Sequence, residues 1–312
     1  MRSSFSIKSL IAEKSPALAK KIPAVGYYFL ERIAHTRELA RFIRDTEAGS
    51  PRDALGCALR RLRLSYRVRT VSHTTLESIL ATDTRLTVAS NHPFGGADAL
   101  VLLDLLTARF GHVAVPANDL VRVVAPVAPY FVPVNKHGSN PELVRTIDEV
   151  FSGDAPVLVF PAGRTGRPPR GRMLSRRIIE FPWAKTFVKK SRAHGRRIVP
   201  VHVDGRNSRL FYFVAWIRTR LAIRANLEMF LLVDELVRRR GSPIELVVGP
   251  PIDTSRLDAR FDDAGWAERI RTYVRALGDG ADDDFFSWLD RGGLQERAAV
   301  SVDRTALTRR PR

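Results

Sequence analysis

Cysteine is almost missing: Cys57 is the single one in 312 residues. That excludes an intramolecular disulfide and any metal site built on several thiolates. On an apolar helical stretch, Cys57 itself reads as a small core residue. Acidic residues are outnumbered, with 33 Asp and Glu against 51 Lys and Arg and a formal charge of +18. Such an excess points to an anionic partner: a nucleic acid, an anionic bilayer or an acidic carrier protein. Long apolar runs are missing too. Nowhere do eighteen apolar residues follow one another, so no bilayer-spanning helix is expected. Met1 to Leu18 is interrupted by Lys8, Glu13, Lys14 and Pro16, which does not read as a cleaved signal. No helix-turn-helix, zinc or aromatic RNA-binding signature accompanies the charge, so a nucleic-acid partner is not expected. The combined expectation is a cytoplasmic protein peripherally associated with the inner face of the cytoplasmic membrane.

What is present centres on residues 86–106. Leu86 to Ala89 is a short apolar run bounded by Ser90 and Asn91, which predicts a buried strand. His92 and Pro93 follow, Gly95 and Gly96 break the backbone, and a Leu-rich segment from Ala97 to Leu106 predicts a helix. His92 is thus placed at a strand-to-helix turn, with Asp98 in the first helical turn where a carboxylate suits the helix dipole. Two glycines between them let the chain double back and bring carboxylate to imidazole. General-base catalysis asks for this pair. The imidazole takes a proton from a hydroxyl, and the carboxylate fixes its tautomer and stabilises the imidazolium. The plain alternative is a histidine that caps the helix and an aspartate that only complements its dipole.

In chain order, Ser15 and Pro16 mark a helix start, and an amphipathic helix is predicted from Ala24 to about Asp45. That helix packs on the core or lies in a membrane interface. Pro51 to Leu64 reads as a helix and residues 65–72 as a half-exposed strand. Further strands are predicted at 112–116, 130–136, 155–160, 198–203, 227–233 and 244–248. Helices are predicted at 141–151, 183–194, 207–222 and 234–240. Strands alternating with helices imply an α/β fold: a mixed, largely parallel sheet flanked by helices on both faces, preceded by N-terminal amphipathic helices. The expected division is an N-terminal helical region at 1–64, an α/β domain at 65–291 and a basic tail at 292–312.

Three stretches support the histidine motif. Phe160, Pro161, Ala162, Gly163, Arg164 and Thr165 follow the apolar strand directly, where open α/β sheets place their sites. Backbone N–H groups of that turn, together with Arg164, can hold an anion. The strand of residues 130–136 delivers Asn135 and Lys136 to its end. Ile198, Val199, Pro200, Val201 and His202 form an apolar strand in which Pro200 marks an edge or bend. The loop 164–177 holds six arginines, a solvated face or a clamp for phosphate. Leu210 to Ile217 is a wholly apolar run with four aromatics.

The order of these motifs, from about Thr87 to Ile252, resembles the glycerolipid (lysophospholipid) O-acyltransferases. The match is best to a bacterial hemolysin-like or lyso-ornithine-lipid acyltransferase branch, with Asn91-His92-Pro93-x-Gly95-Gly96-x-Asp98. The resemblance implies that His92 and Asp98 are catalytic. Asn91, Gly95, Gly96, Asn135, Lys136, Pro161, Gly163 and Arg164 would then bind substrate. It implies an acyl-coenzyme A or acyl-carrier-protein donor, a lyso-lipid acceptor (lysophosphatidic acid or a lyso-ornithine-type lipid) and an anionic membrane surface as partner. No bound cofactor and no metal are implied. Ala162 stands where the wider family has a glutamate and Lys136 where it more often has arginine, which turns the expectation away from a glycerol-phosphate acceptor. A catalytically silent anionic-lipid-binding protein is the alternative, and a nucleic-acid-binding protein a more distant one.

Overall fold

The computed structural model describes residues 11–12, 19–20, 22–33, 35–71, 73–80, 84–117, 125–134, 141–169, 175, 178–220 and 228–293. A five-stranded sheet organises them. Its strands are β1 (Ser65–Thr70), β2 (Leu86–Ser90), β5 (Val157–Val159), β6 (Arg197–Val203) and β7 (Pro243–Val248), in the spatial order β1-β7-β6-β2-β5. All neighbours run parallel except β6 and β7. A parallel pair, β3 (Val115–Ala117) and β4 (Phe131–Pro133), stands beside it.

Side chains alternate across the sheet, so each strand feeds two cores. Leu86, Val88, Leu158, Val199, Val201, Ile244 and Leu246 face one core. Helices α2 (Thr36–Thr46), α3 (Pro51–Leu62) and α5 (Ala97–Phe110) close it. Ala89, Val157, Ile198 and Val247 face the other. That side is covered by α7 (Thr186–Ala193), α10 (Asp263–Gly278) and α11 (Phe285–Asp290). All of β2 is buried, as a central parallel strand covered on both faces requires. The expected mixed, largely parallel α/β architecture is therefore the observed one.

Several expectations are corrected. The single helix from Ala24 to Asp45 is two, α1 (Ala24–Ile33) and α2, because His35 takes a left-handed φ of 48° between them. The strand expected at 227–233 is helical over its described residues, 228–233, which belong to α9 (Glu228–Arg238). A short apolar run does not by itself tell strand from helix, and here Leu231 and Glu235, one turn apart, share the buried face. Pro200 lies at neither an edge nor a bend but in the middle strand. It is accommodated at the mouth of the β6–β7 ladder, which starts at Val201, and its carbonyl still accepts from Gly249 N–H (2.9 Å). Three further helices are α4 (Leu76–Leu80), α6 (Pro141–Ser152) and α8 (Arg209–Arg220). The helix start expected at Ser15 and the bulk of the basic tail lie outside the described residues.

Candidate active site

The site forms where β2 ends. Asn91, the first residue beyond the strand, points its carboxamide at β6. Its Nδ2 donates to the Val203 carbonyl (2.8 Å) and its Oδ1 accepts from Val203 N–H (2.7 Å). Both ends of the amide are thereby engaged with protein backbone, so Asn91 clamps two strand ends together. His92 follows on this anchored backbone with about a sixth of its side chain exposed (16%), whereas Asp98 is fully buried (0%).

His92 Nδ1 lies 3.0 Å from Asp98 Oδ2, an ion-pair contact whose approach is bent away from a linear hydrogen bond. The loop between them is shaped to grip the carboxylate. Asp98 Oδ2 accepts from Phe94 N–H (3.0 Å) and lies 3.4 Å from Gly95 N–H, while Oδ1 accepts from Ala99 N–H (3.0 Å). Gly95 has a φ of 75°, a left-handed conformation that glycine adopts without the steric cost of a Cβ. A Cβ there would also come within 2.9 Å of Leu232 and Thr165. Burial pushes Asp98 toward higher pKa. The adjacent His92 and the backbone N–H groups of Phe94 and Ala99 outweigh it and hold the carboxyl below its ordinary value. An ionised carboxylate on Nδ1 leaves Nε2 as the basic nitrogen.

The second motif closes on the first. Phe160, one residue past β5, stacks on the His92 ring with centroids 4.0 Å apart and planes at 27°. Pro161, Ala162 and Gly163 then turn the chain, with Gly163 N–H donating to the Phe160 carbonyl (2.8 Å) and Gly163 at a φ of 63°. Gly163 and Arg164 are exposed, and the Arg164 guanidinium carbon lies 4.0 Å over the Phe181 ring. Ala162 packs toward the cluster that includes Trp183 and Phe187.

Comparison with known proteins now decides the family. The model of the family described as "Acyltransferase" matches residues 9–278. The chain belongs to the acyltransferase family. A lyso-glycine lipid O-acyltransferase from Phocaeicola vulgatus is 31% identical over 273 residues, covering 87% of this chain and 94% of that one. One from Bacteroides thetaiotaomicron is 30% identical over 273 residues, covering 87% and 96%. Among solved structures, the 1-acyl-sn-glycerophosphate (LPA) acyltransferase PlsC from Thermotoga maritima aligns with a TM-score of 0.43 at 15% identity, over 87% of this chain and 92% of that one.

In this acyltransferase the fold brings together His92, Asp98, Asn91, Gly95, Gly96 and the turn of Pro161, Gly163 and Arg164. Asn135 and Lys136 lie outside the described residues, as does most of the arginine loop. Sequence reasoning missed two neighbours. Phe160 was placed at the strand end and the start of the turn, but not against the His92 ring. Glu180, partly buried, accepts a hydrogen bond from the Trp183 indole N–H (2.7 Å). Burial pushes its carboxyl up to about 7, against the opposing pull of that bond and of the nearby Arg271 and His92. No local pattern announces Glu180, because Arg271 and His92 reach it from distant segments.

Proposed function

We propose that this acyltransferase moves a fatty acyl group from a thioester, acyl-coenzyme A or acyl-carrier protein, to the hydroxyl of a lyso-lipid, with His92 as its base. The observation that carries this reading is the 3.0 Å contact between His92 Nδ1 and a fully buried Asp98. Nε2 of His92 takes the hydroxyl proton as the oxygen attacks the thioester carbonyl carbon. The new C–O bond forms, the C–S bond breaks, and the imidazolium returns its proton to the departing thiolate. No acyl-enzyme is needed. Asp98 stabilises the imidazolium throughout. Gly95 and Gly96 shape the loop beside the reacting atoms, and Pro161, Gly163 and Arg164 form the turn against the acceptor head group. Asn135 and Lys136 are assigned to acceptor binding on the family resemblance alone.

For the acceptor we propose an acyl-amino-acid lyso-lipid, a lyso-glycine or lyso-ornithine type, in place of lysophosphatidic acid. Two relatives named for lyso-glycine lipid support it. So does Ala162, which turns toward apolar neighbours and offers no oxygen to a polyhydroxylated head group. The test is a side-by-side rate comparison on lyso-glycine lipid, lyso-ornithine lipid and lysophosphatidic acid with one acyl donor. Preference for lysophosphatidic acid overturns the acceptor assignment.

The same reading places the enzyme on the inner face of the cytoplasmic membrane as a peripheral protein. No described helix is long and apolar enough to cross a bilayer. Large apolar side chains stand exposed on α1 (Val25, Tyr28, Phe29) and on α8 (Leu210, Phe213, Trp216), and α9 touches both helices. Together with the net charge of +18, they suit an anionic bilayer surface.

A further inference from the structure

We propose that Arg239 is a positioning residue for the dyad, holding, through the ring of Phe94, the loop that grips Asp98. The proposal rests on the reading of His92 and Asp98 given above. Arg239 follows α9 directly, and its guanidinium carbon sits 3.6 Å from the centroid of the Phe94 ring. A planar cation over an aromatic face is an attractive contact, and it strengthens as water is excluded. Phe94 is 2% exposed.

The tip of that ring is closed in by Gly205, whose φ is 138°. A Cβ there would lie 2.1 Å from Phe94 Cζ and 3.1 Å from Arg239 Nη2. Ring, glycine and guanidinium therefore form one packed unit. The backbone N–H of the same Phe94 donates to Asp98 Oδ2 (3.0 Å), so displacement of the ring moves a donor off the carboxylate.

The cation is not placed by an acid. Among the described residues no carboxylate bonds the Arg239 guanidinium. Glu235, one turn earlier, gives both its oxygens to Ser208, to the backbone N–H (2.7 Å) and to the hydroxyl. Arg239 instead feels Glu235, Asp98 and Asp204 through space. Leu232, two turns before Arg239, meets Gly95. α9 and the residue that follows it thus meet the catalytic loop at two successive residues, 94 and 95.

The experiment compares Arg239→Met, Arg239→Gln, Phe94→Leu and the Arg239→Met/Phe94→Leu double variant with wild type, using lyso-glycine lipid and a long-chain acyl-CoA. Folding of each is verified by circular dichroism. Arg239→Met should lower kcat about tenfold while KM stays within about twofold, the pattern of lost transition-state stabilisation. The double variant should be no slower than Phe94→Leu alone, because both changes release the same contact. Wild-type kcat in either folded Arg239 variant, a rise in KM with kcat kept, or losses that multiply in the double variant would each overturn the proposal. His92→Ala, run in parallel, separates the two readings. Full activity in it overturns the dyad, whereas an inactive His92→Ala beside an unaffected Arg239 variant overturns only the role of Arg239.

Discussion

The imidazole of His92 lies nearly flat on the ring of Phe160, with centroids 4.0 Å apart. One edge of the imidazole meets Asp98 and one face is covered by an aromatic ring, so its orientation is fixed from two directions. The two motifs that supply these contacts come from adjacent parallel strands, β2 and β5, which end at the same level of the sheet.

His92→Ala should remove acyl transfer, a loss of at least about 10²–10⁴ for a general base. Asp98→Asn should lower kcat by on the order of 10⁴, through the wrong tautomer. It should also cost about 1–3 kcal/mol of stability, because one carboxylate oxygen that accepts backbone N–H groups is replaced by a donor. Steady-state kinetics and urea denaturation of both variants check this. Wild-type rates in His92→Ala would dismiss the mechanism.

Asn91→Ala should destabilise the fold by about 2 kcal/mol, since it leaves the Val203 N–H and carbonyl without their partner. If Asn91 instead held substrate, KM would rise and the urea midpoint would stay where it is.

Glu180 gives stability a pH dependence of defined sign. Its carboxyl is pushed up to about 7 in the folded protein, against about 4.3 in an unfolded chain. Between those values the unfolded state has lost its proton and the folded state keeps it, so stability falls as pH rises through the window and levels off above it. Glu180→Gln should remove that fall and leave the variant about 1–2 kcal/mol more stable than wild type at about pH 8, but not at about pH 4. Denaturation curves at the two pH values decide the matter.

Binding to vesicles of phosphatidylglycerol and phosphatidylcholine should weaken strongly between about 0.1 M and 1 M salt, as the Debye length shrinks from about 10 Å to about 3 Å. Each basic side chain near the surface contributes about 1 kcal/mol. The residue that survives high salt should fall in Phe213→Ala and Trp216→Ala, whose rings stack side by side on α8. Salt-independent association measured by flotation would contradict a charge-assisted mode.

The central strand, the turn and the helix that carry His92 and Asp98 were legible in the sequence. These depend on short-range signals: an apolar run, two glycines, and a leucine-rich segment. The α/β alternation was legible as well, because strand and helix periods differ. The rest depends on contacts made in the folded chain. Residues 228–233 became helix, with Leu231 and Glu235 on one buried face of α9, which a linear reading of hydrophobicity does not resolve. Asn91 became a strand clamp because Val203, 112 residues away, is brought to meet it. Arg196, fully buried, likewise donates to the carbonyls of Phe151, Leu86, Ala155 and Gly153, a role no local pattern reveals. For Asn91 and Arg196 the deciding partner is distant in sequence, and the energy of a buried polar group depends on whether that partner arrives.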